Sequence, residues 1–228
     1  MKEAPAPLSY KIALFCAVCM VSVLWVASHN ARTLWPGVPP VPQKASISLS
    51  SLGDEQIAYR LSSLMLQNLG DTGGRVTSLQ NYNYERIGGW MHLLHGLDQQ
   101  SDFVPMIAAY YFGATNTSED LKHIVDFLEI AGNDSRAEKW RWLVQAVFLA
   151  RFRMDDLDRG LELAYKLSSL SSYNSQMPIW TRQMPAFVLA AKGEKEAAKE
   201  LMRVILGTTK NLHPNEINFM EAYLNDDL

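Results

Sequence analysis

Residues 12–27 (IALFCAVCMVSVLWVA) form an unbroken, uncharged apolar run, whereas from residue 54 onward apolar and polar positions recur with a helical period. As a helix the sixteen-residue run rises about 24 Å, slightly short of a ~30 Å hydrocarbon core. Residues 28–34 can extend it, with His29 and Arg32 reaching the headgroups and Trp25 and Trp35 at interfacial depth. Its apolar contact residues are Ile12, Leu14, Phe15, Val18, Val21, Leu24 and Trp25. The competing reading is a cleaved secretory signal, with Val26-Ala27-Ser28 as a small-residue site. The run exceeds the usual apolar centre of such a signal and the site is poor, so an uncleaved anchor is preferred.

The sequence PGVPPVP at 36–42 cannot continue a helix and predicts an extended, polyproline-like path. A serine-rich stretch follows, so residues 36–52 read as a spacer between an anchor (1–35) and a body (53–228). In the body the pattern predicts helices over 54–69, 82–97, 103–113, 118–131, 136–152, 156–170, 178–192, 194–206 and 214–224. The first carries apolar Ile57, Leu61, Leu64 and Leu66 and stops at the glycine-rich 70–74. No convincing period-2 strand appears.

Alternate helices begin near 82, 118, 156 and 194, separations of about 36, 38 and 38 residues, the length of a two-helix repeat. The clearest unit has Ala186 and Leu189 on one helix, a turn at Gly193, then Ala197, Ala198, Met202 and Ile205 on the next. Ala146 and Gly160 take the small positions in one preceding unit; Ala109, Leu121, Val125 and Leu128 follow the pattern in another. Over roughly 80–210 this resembles the tetratricopeptide (TPR) repeat, and most of all divergent TPR-like domains tethered to bacterial membranes. The family's Trp-Leu-Gly-Tyr start is absent, and Pro185 inside a helix departs from it. The resemblance implies an all-α chain: a single N-terminal transmembrane helix followed by an α-solenoid of TPR-like helical hairpins. It also implies a protein-interaction scaffold or accessory subunit in a bacterial envelope complex, and it transfers no catalytic activity.

Charge and cysteine usage refine the picture. A net charge of −3 and a pI near 6.0 give no reason to expect nucleic acid. Both cysteines, Cys16 and Cys19, lie inside the apolar run, so the body is thiol-free, as suits an oxidising compartment. Lys2 and Lys11 before the run balance Arg32 and Lys44 after it. The short leading tail and long body then favour an N-in topology, with the C-terminal domain periplasmic at a bacterial inner membrane.

Candidate chemistry is sparse: no catalytic constellation, cofactor motif or metal-ligand set is recognised. His92 and His95 stand at i, i+3, and His123 or a carboxylate is the nearest conceivable third ligand. Packing histidines are preferred; the alternative is an envelope metal-binding protein or enzyme. The loop at 70–75 lacks the Gly-Lys-Ser/Thr of a phosphate-binding loop and reads as a connector. Asp226 and Asp227 read as a solvated terminus. Trp140 and Trp142 are two apart, about 200° around a helix, so they face different layers. With Arg141, Arg151, Trp180 and Arg182 they form the candidate partner-binding set, since tryptophan and arginine dominate interfaces. The expected partners are proteins of the membrane or envelope. A third reading is a structural subunit packed permanently in a larger membrane complex through Cys16, Ala17, Cys19 and Ser22.

Overall fold

The computed structural model describes residues 8–28, 37–72, 75–134, 136–174, 176–210 and 212–225, in two compact units, Met1–Pro36 and Gly37–Leu228. Lys2, His29, Arg32, Trp35, Pro36, Gly73, Gly74, Asp226 and Asp227 lie outside the described residues. In the first unit a single helix, α1 (Leu8–Ser28), contains a stretch, Ser9–Ser28, with mean hydropathy 2.1 and none of it buried. That helix is long and apolar enough to cross a membrane. Ile12, Leu14, Phe15, Val18, Val21, Leu24 and Trp25 are all exposed along it. Ser22 and Ser28 donate their hydroxyls back to the Val18 and Trp25 carbonyls (2.8 and 3.3 Å), satisfying both polar groups inside the helix.

The second unit is helical apart from a minute antiparallel pair, β1 (Asp71–Thr72) and β2 (Arg75–Val76). Its helices are α2 (Lys44–Ser50), α3 (Glu55–Gln67), α4 (Tyr84–Leu97), α5 (Phe103–Tyr110), α6 (Ser118–Gly132), α7 (Trp140–Phe152), α8 (Leu157–Tyr173), α9 (Trp180–Ala191), α10 (Lys195–Thr208) and α11 (Pro214–Asn225). Asp54, Asn83 and Asp156 start α3, α4 and α8 by accepting the backbone N–H of Ile57, Arg86 and Arg159 at 2.9–3.0 Å. From α6 onward each helix packs on its successor, while α4 and α5 pack together and against α6. The small positions singled out in the sequence lie at these contacts: Ala146, Gly160, Ala186 and Ala198 are buried, whereas Ala197 is exposed. One core runs from Val38 to Val188; a second, around Ala186, Ala198, Met202 and Met220, joins α9, α10 and α11.

Two expectations are corrected. Residues 37–52 do not form a free spacer. Val38 is buried, its carbonyl accepting Arg86 Nη1 (3.0 Å); the Pro39 carbonyl accepts Trp90 Nε1 (2.9 Å); and Val41 seats over Gly89. Prolines offer carbonyls without competing N–H groups, so this extended strip suits the donors along α4. The serine-rich part, read as the rest of the spacer, forms α2 and buries Ile47.

The second correction concerns α3. Of its marked apolar positions only Leu66 is buried; Ile57, Leu61 and Leu64 are 47 %, 62 % and 54 % exposed. The face turned inward carries the small Ala58, Ser62 and Ser63 between the larger Tyr59 and Leu66, and Tyr59 donates to Ser101 Oγ at 2.7 Å. The helix thus buries both its serines and presents Leu61 and Leu64, keeping only Leu66 of its leucines inside.

Candidate partner-binding site

The six tryptophan and arginine residues singled out by the sequence do not make one surface. Trp142 is only 6 % exposed. It faces α5: its ring stands edge-on to Tyr110 (6.5 Å between centroids), and Nε1 donates to Asp102 Oδ1 at 2.8 Å. The same carboxylate takes the Lys139 ammonium at 2.6 Å, and Lys139 Nζ also donates to the Gln100 and Ser101 carbonyls (2.8 and 3.0 Å). Burial alone would raise the Asp102 carboxyl, but the hydrogen bonds from Lys139 and Trp142 outweigh it and hold it below the usual carboxylate range. Arg141 sits outside this clamp, 3.8 Å from Asp102 and 3.1 Å from Glu138.

Trp140 faces the opposite way, as 200° of helix rotation demands, and stacks edge-on with Trp180 of α9 at 5.8 Å. Arg182 is an internal strut: its guanidinium donates to the Ser171 carbonyl at 3.1 Å, while its own carbonyl accepts Ser168 Oγ at 3.3 Å. Trp140, Trp180 and Arg182 therefore join α7, α8 and α9, and Trp142 joins α7 to α5. Arg151 lies at the far end of α7, on a separate cleft described below. The sequence missed Asp102 and Lys139 because neither isolated residue stands out before the α4–α5 loop is placed.

His92 and His95 both stand edge-on to Phe127 of α6, at 5.5 and 6.0 Å, and His123 lies over Gly88. An aromatic ring between the two imidazoles is packing geometry rather than a cation cage. Among the described residues no group of three or more His, Cys, Asp or Glu is placed to hold a metal ion. Gly70, just before β1, has φ +83°, and a Cβ there would meet the Tyr82 hydroxyl, which donates to the Leu69 carbonyl at 2.6 Å.

Burial lowers the affinity of both imidazoles for a proton. For His95 the nearby Lys139 charge adds to the effect; for His92 the Asp126 carboxylate opposes it without reversing it. An unfolded imidazole titrates near 6.5, so below that value the unfolded chain binds more protons than the folded one. This contribution to stability is complete above 6.5 and is lost as the pH falls toward the depressed folded value. The denaturation midpoint is expected to drop between about pH 7.5 and 5.5, and a His92→Gln/His95→Gln variant to flatten that drop. A wild-type midpoint constant across this range would contradict the assignment.

Among the described residues two surfaces bear on partner binding. The first is the outward face of α3, extended by Leu49 (77 % exposed) and Leu52 (98 %) in the α2–α3 turn. Leu52 has φ +56°, a left-handed conformation that costs a branched side chain and usually falls to glycine or asparagine. The second is the Arg151 cleft, of about 440 Å³, between the end of α7 and α9–α11. A third hollow, lined by Asp126 and Arg159, is filled electrostatically: Arg159 pairs with Asp126 (2.9 Å), Glu129 and Glu162 (2.7 Å), and Lys166 also joins Glu129.

Comparisons with protein-family models, with curated proteins and with solved structures return no match. The class defined by the fold is a helical protein bearing one N-terminal helix able, by length and composition, to span a membrane.

Proposed function

We propose that this protein is a single-pass membrane-tethered scaffold, its body a solenoid of TPR-like hairpins, that holds a protein partner within a bacterial envelope complex. The anchor sits in the inner membrane and the body faces the periplasm. The observation that carries the reading is the inverted amphipathicity of α3: a helix that buries Ser62 and Ser63 while exposing Ile57, Leu61 and Leu64 is shaped for a partner absent from its own fold. Spacing of i, i+4, i+7 fits an apolar helix of that partner laid along α3. The exposed Leu49 and Leu52 widen the same face. Sequential packing of α6 to α11 and the near-constant helix-pair spacing support the repeat architecture. The thiol-free body suits the periplasm. Confinement of both partners to one membrane raises their effective concentration, so modest contacts suffice.

The test is co-purification of the full-length chain after mild detergent extraction. The wild type is expected to bring down a protein partner. An Ile57→Gln/Leu61→Gln/Leu64→Gln variant is expected to lose it with its thermal melt nearly unchanged, because substitutions at exposed positions typically shift stability by less than ~0.5 kcal/mol each. A strictly monomeric wild type, or a triple variant that keeps its partner, contradicts the reading. A reporter fused after Leu228 checks the topology and should be active only in the periplasm.

A further inference from the structure

The cleft at the end of α7 differs in kind from the α3 face. Its rim is cationic, with Arg151 on one side and Lys195 and Lys199, one helical turn apart, on the other. Its wall is aromatic: Phe187 and Tyr223 line it, and Phe219 completes a three-ring cluster with centroids 6.1–6.3 Å apart. Its floor is Ala190, with Ala191 beside it, small residues that leave the depth open. None of the lining residues is acidic.

Two carboxylates of the same helix region are engaged with other cations. Glu194 pairs with Lys192 at 3.2 Å and Glu200 with Arg203 at 2.8 Å, while Lys192 is also held by Asp158 at 2.6 Å. Among the described residues Arg151 and Lys195 form no ion pair; the Arg151 guanidinium instead lies 4.6 Å over the Phe152 ring. Burial raises the Tyr223 hydroxyl against the opposing Arg151 charge, so it stays protonated and can donate.

Resting on the scaffold reading, we infer that this cleft receives an acidic segment of the protein partner that also carries an aromatic side chain. The segment's carboxylates meet Arg151 and Lys195, and its ring enters the slot over Ala190 against Phe187 and Tyr223. An inorganic anion or a bare headgroup would use the rim and leave the apolar floor and ring wall empty. The combination of both is what selects an acidic, aromatic peptide.

The experiment uses the full-length chain in zwitterionic lipid nanodiscs with fluorescently labelled peptides of alternating Glu and Phe. Gln–Phe peptides serve as the neutral control and Lys–Phe peptides as the opposite-charge control. The Glu–Phe peptide is expected to bind at low salt and to weaken as salt shortens the reach of charge to about 3 Å near 1 M. An Arg151→Glu/Lys195→Glu variant is expected to weaken it by about tenfold or more. Ala191→Trp, which fills the floor from an exposed position, is expected to weaken it while leaving the melt intact. Equal binding of Glu–Phe and Gln–Phe peptides overturns the inference. So does charge reversal that abolishes flotation on phosphatidylglycerol vesicles while leaving peptide affinity unchanged. Either outcome leaves the scaffold reading standing, because that reading is decided by the α3 variant.

Discussion

A Gly132→Val variant is expected to lose about 3 kcal/mol or more of folding stability, lowering the melting temperature of the body by about 6–12 °C. Gly132 ends α6 where that helix meets α7, and a Cβ placed on it would lie 2.2 Å from Leu143 N and 2.8 Å from Leu143 Cα. Those are backbone atoms of a fully buried helical residue, so no side chain can swing away to make room. The α6–α7 pair must separate, and with it goes the burial of Leu128, Ala131, Leu143 and Val147. Gly132→Ala should lose less, because it adds one methyl rather than three carbons. Gly96, whose Cβ position meets nothing within 4 Å, provides the control: Gly96→Ala should be neutral or slightly stabilising in the same circular-dichroism melts. Equal effects at the two sites would show that close approach at Gly132 is not what limits the fold.

The second large effect is expected at Lys139. All three donors of its buried ammonium are used, on Asp102 Oδ1, the Gln100 carbonyl and the Ser101 carbonyl. Lys139→Ala leaves the Gln100 and Ser101 carbonyls without this donor, removes the charge beside Asp102 and opens a void, and a loss of about 2–4 kcal/mol is expected. The figure is kept at the lower end of the range for broken buried pairs because Asp102 is half exposed and retains Trp142 Nε1. Lys139→Met keeps the stem and should cost less than Ala. Asp102→Asn should cost less still, since an amide oxygen can go on accepting from Trp142. The near-UV circular dichroism of Trp142 reads the clamp directly: it should change in all three variants, and an unaltered spectrum with an unaltered melt would contradict the role.

Where periodicity and caps coincide, the sequence read the helices well. The expected 54–69 and 118–131 correspond to Glu55–Gln67 and Ser118–Gly132, because Asp54 caps one start and the apolar Leu121, Ile124, Val125 and Leu128 line one side of the other. The last three helices also agree to within two residues at each end, on periodicity and turn residues, with no side-chain cap bond at the start of α9 or α10. α2 was missed because Lys44–Ser50 has one buried residue and no cap bond, so nothing in its pattern separates a short docked helix from a serine-rich linker. Val38 and Val41 were missed because isolated valines among prolines have no period to read. On α3 periodicity found the stripe but not its direction. A leucine stripe signals burial only when the protein itself supplies the other side, and here small residues on the opposite face, Ala58, Ser62 and Ser63, decided the packing.

The candidate site divides along the same line. The opposed orientations of Trp140 and Trp142 follow from their spacing alone. Their burial does not: it depends on the α4–α5 loop bringing Asp102 beneath one indole and on α9 bringing Trp180 against the other. The cationic cleft draws on four helices, and only the four-residue spacing of Lys195 and Lys199 hints at it in the sequence.

The proline strip gives the protein a defined load path. The chain enters its body at Gly37 and is immediately fastened along α4 by Arg86, Trp90 and Gly89 rather than at a dangling end. A pull on the chain ahead of Gly37 would fall first on the Trp90–Pro39 and Arg86–Val38 bonds. The first element to feel a tug would be α4, which packs directly on α3, the helix that carries the outward leucine face.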